Sequence, residues 1–225
     1  MADQPRPSDA EAPSGAAGSR ATRSAARGDA VLGYVPDRVE AHRPTALSPS
    51  RPTVALTRLQ SGVGTLTLRA ACSDAVGDLR LAAAYQLTSG TSSLLSHARG
   101  APVAPPHSRR PVVTGTRGAS ETLRVDLRQV TELERLVVLA FSAGGAALDW
   151  AGALVVETFG GGRVDVALDR PRAAGVLVPL SVYNVAGELV LRAEQEFLPV
   201  ATLRDAALAY GFDRITWVDP WTALT

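Results

Sequence analysis

Lysine is absent from this chain of 225 residues; all 23 basic residues are arginine. Such a bias belongs first to base composition, as in a GC-rich genome. Cysteine is nearly absent too. Cys72 alone cannot form an internal disulfide, and one thiol with three scattered histidines makes no metal-binding framework, so a reducing compartment is expected. No run approaches the roughly 18 apolar residues of a membrane span. The N-terminus also lacks a charged region followed by an apolar run and a small-residue cleavage site, so the expected location is cytoplasmic, with no membrane span. Net charge is scarce as well. A formal +1 gives no global reason to expect nucleic acid as a partner, because non-specific polyanion binding needs a basic excess.

What is present is aliphatic. The apolar fraction of 46%, carried mainly by Val, Leu and Ala, is enough for a sizeable core in one medium domain plus a tail. Charge is unevenly placed along the chain. Between Asp78 and Glu121 there is no acidic residue, only Arg80, Arg99, Arg109, Arg110 and Arg117, whereas Glu121 to Thr225 holds 14 acids against 9 arginines.

Residues 1–51 are rich in Ala, Ser, Pro, Arg and Asp without a sustained apolar period, and are expected to be a disordered tail. Ala30-Val31-Leu32-Gly33-Tyr34-Val35-Pro36 is its one apolar patch, suited to docking on the domain or a partner. From residue 52 the texture changes to short β-prone runs separated by Gly, Pro, Asp and Ser. This predicts an all-β fold over 52–225, a sandwich of two antiparallel sheets with a short C-terminal helix. Strands are expected at 53–59, 64–71, 79–87, 121–127, 135–141, 153–159, 163–168, 176–183 and 189–197. Alternation puts Leu123, Val125 and Leu127 on one inward face, and 136–141, apolar on both faces, reads as a central strand. Gly160-Gly161-Gly162 and Asn184 to Glu188 read as hairpin turns. The connection 88–120 is long enough to be functional or disordered. Thr202 and Asp205 mark a helix N-terminus; Val200, Leu203, Ala207 and Tyr210 share a face, and Gly211 stops the helix. Phe212, Trp217 and Trp221 should anchor the C-terminus.

Catalytic chemistry has little to stand on. A nucleophilic hydrolase needs a nucleophile, a base and an orienting group together. Cys72 ends a strand, His42 lies in the tail, and His97 and His107 lie in the 88–120 connection. The glycines at 144–145 and 160–162 lack the following helix and Lys-Ser/Thr of a phosphate loop and are turns. Arg99, Arg109 and Arg110, with Arg117, are candidates for contact with a phosphate-bearing ligand or the acidic half of a neighbouring subunit, against the simpler reading of a solvated, mobile loop. Trp150 reads as a core plug.

Several segments, in order, resemble the bacterial TerD family of tellurium-resistance and stress proteins, and within it the TerA-like members of actinobacterial type. They are Pro52 to Arg58, Gly77-Asp78-Leu79-Arg80 through Leu87, Gly118 to Leu127 followed by Arg135 to Phe141, Ser181 to Arg192, and Asp205 to Trp217. The resemblance implies a two-sheet sandwich, calcium held by acidic loops at one end in typical members, and a non-enzymatic binding or scaffold role in stress. Its implied partners are other proteins, among them other Ter-type proteins.

The chain departs from that family at the calcium site. The Asp-Leu-Asp of typical members reads Asp78-Leu79-Arg80 here, and a Gly-Asp-Asp element reads Gly115-Thr116-Arg117. Calcium takes about six to eight oxygen ligands, and only Asp78 and Glu121 remain beside Arg80 and Arg117. The expectation is a degenerate site with no cofactor, in which Arg80 stands in for the ion through fork-shaped hydrogen bonds. Two alternatives stay open. Asp78 and Arg80 could alternate onto a solvated face with Ala82, Ala84 and Gln86. The protein could also be a functional calcium sensor or buffer with ligands from elsewhere in the chain.

Overall fold

A computed structural model describes residues 36–224. In chain order the elements are β1 (Asp37–Arg38), β2 (Pro44–Leu47), β3 (Thr53–Ala55), α1 (Arg58–Gly62), β4 (Thr65–Ala71), β5 (Leu79–Leu87), β6 (Ser92–Ser96), β7 (Val103–Ala104) and β8 (Val113–Arg117). They continue with β9 (Glu121–Asp126), β10 (Leu133–Ser142), β11 (Ala153–Glu157), β12 (Arg163–Ala167), β13 (Gly175–Val185), β14 (Glu188–Pro199), α2 (Leu203–Ala209), β15 (Trp217–Asp219) and β16 (Thr222–Ala223). Two seven-stranded sheets form a β-sandwich, ordered β1-β3-β14-β13-β10-β5-β6 and β2-β12-β11-β4-β9-β8-β7. Pairing is antiparallel except where β1 joins β3 and β2 joins β12.

Period-two alternation builds the core. Leu66, Leu68 and Ala70 of β4 and Leu123 and Val125 of β9 face Leu79, Leu81, Ala83 and Tyr85 of β5 across the sandwich, all buried. Each such leucine contributes roughly 1.5–3 kcal/mol relative to its exposed state. The first sheet is buried on its other face as well. Ala82, Ala84, Val137, Leu139, Phe141, Val176 and Val178 lie under Leu203, Ala206 and Ala207 of α2 and under Phe212 and Ile215. This third layer explains why β10, the central strand, is apolar on both sides. Trp217 and Trp221 pack against the same cluster, and Trp150 is buried with Nε1 donating to Ala173 O at 3.1 Å.

The helix start is as its sequence predicts. Thr202 Oγ1 accepts from Asp205 N at 3.3 Å and Asp205 Oδ2 accepts from Thr202 N at 2.9 Å. Leu203, Ala207 and Tyr210 are buried, but Val200, expected on their face, is exposed because the helix begins only after it.

Three expectations need correction. Residues 36–51, placed in the tail, instead supply an edge strand to each sheet: Asp37 and Arg38 pair with Val54 and Ala55, and Pro44 to Leu47 pair with Arg163 to Val166. The apolar contribution is small, Val39 and Leu47, so the pattern was too short to read. Expectations for residues 1–35 lie outside the described residues, as does nearly all of the Ala30–Pro36 patch. The strand expected at 53–59 ends at Ala55, because Thr57 and Gln60 form a reciprocal cap that turns the chain into α1. The connection 88–120 is not a loop; it holds β6, β7 and β8, which carry the chain from the edge of one sheet to the edge of the other. Among the described residues no helix is long and apolar enough to cross a membrane.

Candidate functional site

One end of the sandwich collects charge. The short 3-10 turn at Asp74–Val76 closes with Gly77 N donating to Asp74 O at 3.1 Å, and Gly77, at φ +100°, redirects the chain into β5. Asp78 is thereby left at the mouth, and Arg80 is carried into the first sheet. Opposite, the β8–β9 hairpin pairs Arg117 with Glu121 at the rim of the second sheet. Asp78, Arg80, Arg117 and Glu121 are thus brought together from both sheets around a cleft of about 140 Å3 that Cys72, Asp74 and Ser120 also line, all but Asp78 contributing to its wall.

Arg80 organises the group. Its Nη2 pairs with Asp78 Oδ1, its Nη1 donates to Leu79 O at 2.9 Å, and its Nε lies 3.7 Å from Glu121 Oε1. Its side chain is 11% exposed and that of Glu121 6%, so this ion pair is largely removed from water and spans the two sheets. Arg117 Nε adds a second cation 3.8 Å from the same oxygen. The other Glu121 oxygen, Oε2, accepts from Leu81 N at 3.4 Å. The register of β6 stops opposite Ala82, so the carboxylate serves a backbone donor that β6 does not reach. Among the described residues Glu121 Oε1 accepts no hydrogen bond and is faced by the two guanidiniums.

The solvated-face reading fails for Arg80, which is buried, while Asp78 is exposed at the mouth as that reading has it. Ala82 and Ala84 are fully buried under the third layer, and Gln86 is tied to Glu134 and Arg135. Calcium does not fit these residues. Asp78 and Glu121 already face guanidinium groups, Asp74 is the third carboxylate at this end, and among the described residues no three His, Cys, Asp or Glu side chains are grouped as a metal set, far short of the ion's oxygen requirement.

The remaining expected site residues are elsewhere. Thr116, itself exposed, pairs with the buried Thr122 in the hairpin and does not line the cleft. Arg99 donates to Ala143 O and lies 6.0 Å from the centre of the Trp221 ring, against the C-terminal cover. Arg109 and Arg110 instead border a second concavity, of about 580 Å3, together with Arg124 and Arg128. Sequence reading missed these last two, although the Leu123-Arg124-Val125 alternation already turned Arg124 outward.

Cys72 lines the first cleft, which no histidine lines. Burial, with the negative charge of Asp169 in second place, pushes its thiol pKa up despite a backbone hydrogen bond from Ala153. The thiolate, which is the reactive form, is thereby disfavoured. His42, His97 and His107 are each exposed, His42 beside Gly161 on the β11–β12 turn. No family model matches the chain, and no curated protein matches it.

Proposed function

We propose that this protein is a non-catalytic binding or scaffold module whose charged end is closed by Arg80 in place of a bound ion. The observation that carries the reading is the guanidinium of Arg80 set between Asp78 and Glu121, with the Glu121 pair joining the two sheets. The Glu121 carboxylate is almost wholly removed from water, which is costly unless a cation accompanies it, and an arginine in the chain supplies that cation permanently, with Asp78 at the exposed mouth as its second partner. Catalysis has no matching support: burial pushes the Cys72 thiol pKa up, which disfavours the reactive thiolate, and the three histidines are dispersed and exposed.

The ordered segments similar to the TerD family supply the setting, a stress-response module in the cytoplasm working with other proteins, Ter-type proteins included. Within that setting this chain is a metal-independent variant, with Asp78-Leu79-Arg80 and Gly115-Thr116-Arg117 where typical members carry acidic motifs. Calorimetric titration of the full chain with calcium tests the reading. No binding is expected at micromolar calcium, and a one-site isotherm there contradicts it.

A further inference from the structure

The concavity on the outer face of the second sheet is independent of the Arg80 cluster. It is bordered by Arg109 and Arg110 from the β7–β8 connection, Thr114 from β8, Arg124 from β9, Thr65 from β4 and Arg128. Strand register explains the gathering. Thr114 lies beside Arg124, and Thr65 beside Asp126, so alternate residues of three neighbouring strands point outward from one patch.

Its electrostatics are one-sided. Four guanidiniums line it against one carboxylate, Asp126. That carboxylate is already engaged: Arg128 donates to Oδ1 from Nε and to Oδ2 from Nη2, each at 3.0 Å, and Gln129 Nε2 donates to Oδ2 at 3.1 Å. Arg128 holds the Asp126 pKa below its ordinary value. By contrast, the guanidiniums of Arg109, Arg110 and Arg124 have no ion pair or hydrogen bond among the described residues, where nine other arginines pair with acids. The wall is also set in place. Gln129 Nε2 donates to both Pro111 O and Asp126 Oδ2 at 3.1 Å, which ties the arginine-bearing connection to the end of β9, and Arg110 N donates to Ser108 Oγ at 3.1 Å within that connection.

We infer that this concavity binds a compact anion carrying two or more phosphate groups. Unpaired guanidiniums with hydroxyls beside them match phosphate oxygens in charge and in fork geometry. A volume of about 580 Å3 suits a small ligand. No aromatic side chain lines it, so there is no platform for a base, and recognition rests on the phosphates.

Calorimetry of the full chain in about 150 mM salt, with inorganic tripolyphosphate, orthophosphate and ATP as probes, tests this. Tripolyphosphate is expected to bind one site with a Kd below about 100 µM, and orthophosphate far more weakly. ATP is expected to bind no tighter than tripolyphosphate. Arg124→Gln, and Arg109→Ser with Arg110→Ser, should each weaken tripolyphosphate about tenfold or more while leaving the melting curve unchanged, since all three residues are exposed. Arg69→Gln, on the same sheet face but outside the concavity, should leave it unaltered. Absence of binding, equal losses in Arg69→Gln, or a tenfold preference for ATP would overturn the inference.

Discussion

The guanidinium carbon of Arg135 lies 4.2 Å from the centre of the Phe212 ring, and the same group donates to Tyr210 O at 2.9 Å and Gly211 O at 2.8 Å. One side chain of the central strand thus caps the C-terminal end of α2 and fastens the third layer to the first sheet. Burial lowers its pKa, an effect that Tyr183, Glu134 and Asp213 partly offset. Arg135→Ala should cost about 2–3 kcal/mol, from two charge-assisted hydrogen bonds and the ring contact. Arg135→Lys, which cannot reach both carbonyls from a planar fork, should lose roughly half as much. Urea midpoints at unchanged slope measure both; a loss below about 0.5 kcal/mol for the alanine variant contradicts this role.

The Arg80–Glu121 pair should behave as a unit. Arg80→Met leaves the carboxylate of Glu121 buried with only Arg117 near it, and should cost about 3–5 kcal/mol. Adding Glu121→Leu removes the stranded charge, so the double variant should be less destabilised than the sum of the single ones by about 1–3 kcal/mol. Additivity within about 0.3 kcal/mol would mean that the two groups do not interact.

Much of the sandwich was legible because its physics is local. The Thr202–Asp205 cap, the doubly apolar run 136–141 and the alternation around Leu123 each report on their own neighbours in sequence, and the structure follows them. What stayed hidden depends on partners far along the chain. Leu94 and Leu95 sit among serines, and only their pairing with Ala84 and Ala83 makes β6 a strand. Thr57 to Leu59 alternate as a strand would, yet the reciprocal bond with Gln60 wins. At the charged end the resemblance grouped Asp78, Arg80, Arg117 and Glu121, but that Arg80 would meet Glu121 from the other sheet while Thr116 stays outside the cleft is a consequence of folding and has no signature in spacing. Nothing in spacing joined Arg124 to Arg109; register sets Arg124 beside Thr114, and the β7–β8 connection brings Arg109 to the same concavity.

Acid should loosen the helix cap. The Thr202 backbone N–H, and then its hydroxyl, hold the Asp205 carboxyl below its ordinary pKa. A carboxylate with a depressed folded pKa contributes stability above its unfolded value and loses that contribution as pH falls through the folded one, so the loss begins below about pH 4. Stability measured by urea at several pH values should fall less steeply below that point in Asp205→Asn than in the parent protein. Parallel slopes would show that this carboxyl does not titrate with folding.

Cys72 should be sluggish toward electrophiles. Its raised pKa leaves little thiolate at neutral pH. Iodoacetamide labelling is expected to run slower than for a free cysteine peptide, with its pH profile displaced upward. Rapid labelling near pH 7 would point instead to an activated thiol and revive a catalytic reading.

The most direct measurement of the central claim is the melting temperature of the full chain in about 1 mM calcium against excess chelator, with Arg80→Asp alongside. The parent protein should melt at the same temperature in both. Arg80→Asp, which replaces the internal cation with a further carboxylate, should melt lower in chelator and recover in calcium. A native micromolar site would add about 4 kcal/mol at that concentration, or roughly 10 °C; such a rise in the parent protein would show that an ion, and not Arg80, completes this end of the sandwich.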